Sequence, residues 1–312
     1  MIEQQFNRFP LAHTFSIVAR DAAIGCLGVA VQSHWFSVGS LVTWAEAGVG
    51  AVATQANAEI SYGPLGLELM RAGKSAGDAL TSLLAGDELR ALRQVAMVDA
   101  AGRVAAHTGE RCLNAAGHQI GEGYAVQANM MVDSGVWPAM ADAYESSQGD
   151  LAERLLAALE AGQAAGGDIR GQQSAAILVV SATSTGRPWV DRQMELRVED
   201  HPEPLKELRR LLLLHRAYQL MNQGDEHLGR GKVDEAFAAY QEAARLAPEV
   251  DELPFWEAVS LVNIGRLEEA LPIFRRVFSR NHGWAVLVQR LTSAGMLSAD
   301  AETMRRILEQ SH

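Results

Sequence analysis

The chain has little cysteine: Cys26 and Cys112 are the two in 312 residues. Two thiols make neither a disulfide framework nor a four-thiolate metal site, so a reduced, cytoplasmic setting is expected. Long apolar runs are missing. Stretches such as Ala175–Val180 and Leu211–Leu214 are far too short to span a bilayer. The opening Met1–Arg8 has no apolar centre, and no secretory signal is expected. Basic clusters are missing too. With a net charge of −11 and no basic patch, neither nucleic acid nor an anionic membrane is an expected partner. His13, His34, His107 and His118 show no metal-ligand spacing. Gly25–Gly28 and Gly48–Gly50 lack the strand-then-helix setting of a dinucleotide loop. No metal and no organic cofactor is expected.

What is present is unevenly spread. The first 200 residues hold a net charge of −9 and 22 of the 28 glycines, whereas the remainder holds −2 and six glycines. The contrast predicts two domains, 1–203 and 204–312, meeting near His201–Pro204. In the first, the β-branched runs Thr14–Arg20 and Leu27–Ser33 predict a hairpin, and Gly48–Gln55 a third strand. Helices are expected over Pro64–Ala72 and Ser75–Ala85, each stopped by glycine. Strand patterns return at Leu92–Val98, Arg103–Thr108 and Gly123–Met130. Helices follow at Gly135–Ser147 and Leu151–Ala161, the latter capped by Asp150. Ser174–Ser181 and Trp189–Val198 close the domain as strands. Strands, two helices, strands, two helices, strands: this order suits an α+β body of two packed sheets with helix pairs outside them.

Antiparallel pairing around the Asp21–Cys26 turn sets Thr14 opposite Ser33, with Gln32 and His34 beside it. A hydroxyl pair, an amide and an imidazole thus meet at one open end of a sheet, although a threonine that merely begins a strand has the same spacing. Cys26 lies at the far end of the hairpin, and Cys112 has no histidine placed to activate it, so both read as inert thiols. The glycine-rich loop Ala165–Gly171 runs into Gln172, Gln173 and Ser174. It reads either as an anion-holding loop built on Arg170 or as a flexible connection.

Beyond Pro204 the chain reads as nearly all helix. Gly231–Ala236 recurs 34 residues later as Gly265–Ala270, with Tyr240 matched by Phe274 and Ala243 by Val277. This period resembles the tetratricopeptide (TPR) repeat over about two units, with His282 where a proline usually ends the second. A docking groove for a protein partner and a helical appendage that stabilises a homodimer are the two readings.

Thr14–Asp21, Gly28–Ser33, Ala47–Gln55, Ser61–Pro64, Gly121–Asn129 and Gly166–Ser174 resemble, in that order, the domain-of-unknown-function family 1028. The likeness runs from about Thr14 to about His215. The family is grouped with the N-terminal-nucleophile (Ntn) hydrolases, so the resemblance implies a four-layer αββα Ntn-hydrolase-like sandwich ahead of the all-α TPR-like domain. In Ntn enzymes an exposed first Thr, Ser or Cys attacks an amide carbonyl, and its own α-amine takes the proton. Thr14 matches that nucleophile. Thirteen residues precede it here, so either His13–Thr14 is cleaved, or translation starts elsewhere, or the chain does not use this chemistry. On this reading Ser33 and Gln32 orient Thr14, and Gln55 or Asn57 donates to the oxyanion. His34, Asn57, Tyr62, Asn129, Arg170 and Ser174 form the substrate side, with Arg170 binding a carboxylate. The substrate is a small amide or cell-wall-type ligand. The alternative is a non-catalytic body that binds such a ligand while the helical domain recruits a partner or dimerises.

Overall fold

The structure, a computed structural model, describes residues 11–12 and 14–311. The hairpin forms as expected: Thr14–Arg20 (β2) pairs with Leu27–Ser33 (β3), and Thr14 stands directly opposite Ser33. A short strand, Leu11–Ala12 (β1), precedes it. After a single helical turn, Gly39–Val42 (α1), come Thr43–Glu46 (β4) and Gly50–Asn57 (β5). Helices Tyr62–Arg71 (α2) and Ala76–Ala85 (α3) lead to strands Arg93–Asp99 (β6), Val104–Thr108 (β7), Gly117–Gly121 (β8) and Tyr124–Ala128 (β9). Helices Val136–Ser146 (α4) and Leu151–Ala164 (α5) follow, then Ser174–Val180 (β10), Pro188–Asp191 (α6) and Arg192–Val198 (β11).

Two antiparallel sheets result among the described residues. One has the order β1-β5-β6-β7 with β4 also on β5; the other runs β11-β10-β3-β2-β9-β8. Side chains alternate between faces along a strand, and here both faces of most strands are apolar. Val18, Leu27, Val29, Val31, Ala176 and Leu178 from the larger sheet meet Ala51, Ala53, Ala96 and Val98 from the smaller. Outside the smaller sheet, α2 and α3 bring Leu67, Met70 and Leu80 onto Val52 and Met97. Outside the larger, α4 and α5 pack on β2, β3, β8, β9 and β10. Gly28 permits that contact, because a Cβ there would lie 2.7 Å from a methyl of Leu155. Each fully buried aliphatic side chain contributes roughly 1.5–3 kcal/mol, and the layers helix, sheet, sheet, helix follow from both sheets having to cover both faces. Caps fall where expected: the Asp150 carboxylate accepts from the Glu153 N–H at 2.9 Å.

Three readings change. The expected strand 123–130 is the second arm of a β8–β9 hairpin that turns at Gly123, whose φ is +72°. The strand β4 has a half-buried, non-alternating pattern and escaped the period-two reading. Trp189 does not begin a strand; Pro188 starts the turn of helix α6, and Trp189 is 76% exposed.

The chain divides into compact units 1–210 and 211–312, and the helix Pro204–Gly229 (α7) carries it from one into the other. The second unit continues with Val233–Leu246 (α8), Glu252–Asn263 (α9), Leu267–Arg280 (α10), Gly283–Ser293 (α11) and Ala301–Leu308 (α12). It is all helical, so the molecule is an α+β body followed by an all-α region. Helices α8 and α10 begin and end 34 residues apart, in step with the sequence repeat. Ala236, Tyr240, Ala243, Ala270, Phe274 and Val277 are all buried in one core. No helix among the described residues is long and apolar enough to cross a membrane.

Candidate functional site

The space between the sheets is apolar at one end and polar at the other. At the polar end, inward-facing positions of four strands carry Thr14 and Ser16 (β2), Ser33 (β3), Gln55 (β5) and Gln94 (β6). With Gln127 and Asn129 at the end of β9, all are fully buried. Burial of so many polar groups is tolerable only if they bond to one another. They do. Thr14 Oγ1 donates to Ser33 Oγ at 3.0 Å. The Thr14 carbonyl accepts from the Asn129 N–H at 3.1 Å, from Gln55 Nε2 at 3.0 Å and from Asn129 Nδ2 at 3.4 Å. Gln55 Oε1 accepts from Ser16 Oγ at 2.7 Å, and Ser16 Oγ accepts from Gln127 Nε2 at 3.2 Å.

Gln94 sets the direction of this network. Its Nε2 lies 2.9 Å from the Ala128 carbonyl and 3.1 Å from that of Gly117, and carbonyls only accept. Its Oε1 therefore faces Gln55 Nε2 (2.7 Å) and Asn129 Nδ2 (2.8 Å). The same Nε2 is 2.9 Å from Thr108 Oγ1, which in turn lies 2.8 Å from His118 Nδ1. Burial first, then His107, holds the imidazole pKa below the usual histidine value, so the neutral ring is favoured. His118 also lines an open pocket of about 470 Å³ with Trp137, Asn114 and Cys112. The Cys112 thiol is pushed up by burial, the opposite of a reactive thiolate.

Of the expected site residues, Thr14, Ser33, Gln55 and Asn129 are brought together. Gln55 has a different task from the one expected. Both Nε2 hydrogens are directed at Thr14 and Gln94, so it holds the Thr14 main chain rather than donating to an oxyanion. Asn57 sits at the end of β5 and turns its carbonyl and amide oxygens to Arg93 Nη1, at 2.7 and 3.1 Å. Its Nδ2 is the donor on that side chain. Gln32 is a correction: it neighbours Ser33, so the pleat points it to the opposite face, toward the helices. Its amide is fully buried there and neither N nor O has a protein partner.

Tyr62 is a second correction. It packs between α2 and the smaller sheet, and its hydroxyl donates to Asp87 at 2.9 Å, itself bonded to Arg93. Burial raises its pKa. Arg170 is a third, because its guanidinium grips Asp168 through Nε (3.0 Å) and Nη2 (2.7 Å). Asp168 has a fully buried side chain and also accepts from the His34 N–H at 3.2 Å. His34 Nδ1 donates to the Gln172 carbonyl at 3.3 Å. Ser174 accepts from the Val38 N–H at 3.1 Å and donates to the Trp35 carbonyl. His34, Arg170 and Ser174 therefore fasten the loops around the end of β3. Ser16, Gln94 and Gln127 were not anticipated. Their one signal in the sequence is a polar residue in phase with the core positions of an otherwise apolar strand.

A model of the family of unknown function DUF1028 matches residues 14–208. The chain belongs to the DUF1028 family. A crystal structure of a DUF1028 protein from Silicibacter pomeroyi is similar, at 33% identity and a TM-score of 0.58, over 64% of this chain and 84% of that one. Among curated proteins nothing matches. The DUF1028 match begins at Thr14, the residue whose hydroxyl and carbonyl the network holds. Ser37, Ala56 and Met130, the non-glycine residues with φ between 56° and 69°, follow the network elements β3, Gln55 and Asn129. Backbone held in this region clusters at functional sites.

Proposed function

We propose that this DUF1028 chain is an Ntn-type amide hydrolase with Thr14 as nucleophile, active once His13–Thr14 is broken. The observation that carries the reading is the fixation of Thr14: a strand-initial hydroxyl bonded to Ser33, on a carbonyl held from both sheets by Gln55 and Asn129. Pre-organisation of this kind lowers the cost of reaching an attack geometry. In the proposed step the freed α-amine takes the Thr14 Oγ1 proton while Oγ1 bonds to the substrate's amide carbon. The C–N bond breaks, the amine departs with that proton, and water hydrolyses the resulting ester. Asn57 Nδ2 is the proposed oxyanion donor. The four-layer arrangement of the first unit supports the Ntn-like reading, and the 34-residue repeat supports a TPR-like docking surface in the second.

A non-catalytic, ligand-binding body is the second reading, favoured by the complete burial of Thr14 and by its nitrogen lying within a peptide bond. Intact mass separates the two. Loss of residues 1–13 together with amidase activity that Thr14→Ala abolishes supports the hydrolase; a stable full-length chain with activity untouched by Thr14→Ala rules it out.

A further inference from the structure

Strand β5 uses one edge to pair with β6 from Gly50 to Ala56. Its other edge is shared. β4 covers it from Gly50 to Ala53, and beyond that Leu11 stands opposite Asn57 and Ala12 opposite Ala56, antiparallel. The residues that cover the edge beside Gln55 are thus those reached by walking back from Thr14 through one intervening residue.

We propose that the Ala56–Asn57 edge of β5 is the docking strand for the acyl side of an extended peptide substrate, and that Leu11–Ala12 occupies it in cis; this rests on the Thr14 hydrolase reading. The bond proposed to break has its acyl side running back through Ala12 and Leu11, along β5. On the hydrolase reading a substrate must bring its carbonyl to Thr14 Oγ1, and a peptide whose acyl side follows the course of Leu11–Ala12 reaches it along β5. An uncovered strand edge presents N–H and C=O groups that an extended chain satisfies by strand addition. The substrate class is therefore a peptide or N-acylpeptide with at least two residues before the scissile amide. A simple amide without a main chain has no ladder to form. Recognition is through main-chain groups, so side-chain demands are light.

The probe is acetyl-Phe-Pro-Leu-Ala-His-amide, the chain's own residues 9–13, titrated calorimetrically into two full-length proteins. In wild type the resident segment competes at an effective concentration near millimolar. In the Leu11→Pro/Ala12→Pro variant proline removes the ladder donors. The variant is expected to bind the peptide at least tenfold tighter than wild type, and N-methylation of the peptide's Leu and Ala is expected to abolish that gain. Equal affinity for both proteins, or indifference to N-methylation, overturns the docking strand. If the double variant does not melt cooperatively, Leu11→Pro alone carries the same comparison. Amide hydrolysis that the peptide does not inhibit overturns the docking strand and leaves the hydrolase. Peptide binding without any hydrolysis or loss of residues 1–13 overturns the hydrolase and leaves the docking strand.

Discussion

Gln94 and Gln32 are both fully buried glutamines, and one substitution should move them in opposite directions. Gln94→Leu strips acceptors from Gln55 and Asn129 and a donor from the Gly117 and Ala128 carbonyls. Stranding such groups costs about 1–3 kcal/mol each before relaxation, so a loss of about 2–4 kcal/mol is expected in denaturant melts. Gln32→Leu removes an amide with no protein partner, and stability should hold or rise by about 1 kcal/mol. Arg170→Ala leaves the buried Asp168 carboxylate without its cation. The expected cost is about 3 kcal/mol, with no selective loss of carboxylate-ligand affinity, because the guanidinium is a structural tie. His118 supplies a pH dependence. Folding lowers its pKa through burial, so the unfolded chain binds the proton more readily. Stability is therefore complete above the unfolded value of about 6.5 and falls as pH drops below it. His118→Gln should flatten that acid-side fall between melts at about pH 7.5 and pH 5.5; an unchanged slope would assign it to other groups.

At the scale of elements, the repeat shows how a local pattern becomes packing. The second copy of its small–aromatic–small spacing puts Phe274 in the same core as Tyr240, and Tyr240 packs against Gly224 of α7. A Cβ on Gly224 would lie 2.3 Å from the Tyr240 ring. In an open helix Gly→Ala gains roughly 0.5–1 kcal/mol. Gly224→Ala should instead lose about 1–3 kcal/mol by overpacking, read as a lower melting temperature. Tyr240→Asp, which puts a charge in that contact, should lower it further. The hairpin β2–β3 was equally legible, since a tight turn and alternating residues set Thr14 against Ser33 without reference to the rest of the chain. Elements with weak periodicity were not: the half-buried β4 and the short β8 lack the run of β-branched residues that marks a strand.

For the whole molecule, composition, the glycine and charge asymmetry and the 34-residue period were enough to divide the chain into an α+β part and an all-α part. These are sums or short-range patterns, and dihedral preference and amphipathic period act on neighbours in sequence. The hairpin register likewise needed only its own turn. The convergence of Gln55 and Gln94 from one sheet with Thr14, Ser33 and Asn129 from the other was decided by packing alone. Apart from the Thr14–Ser33 pair of the hairpin, those contacts span 35 to 115 residues of chain, and no local rule links them. Tertiary structure also decided which polar groups are already bonded. Arg170 reads in sequence as a free cation on a glycine loop, and Ser174 as a pocket hydroxyl. Each is held because folding places a buried carboxylate, or the Trp35 carbonyl, within reach. Gln32 and Ser33 are adjacent in sequence, yet the pleat sends them to opposite faces; only the facing sheet encloses one of those faces in the buried polar network.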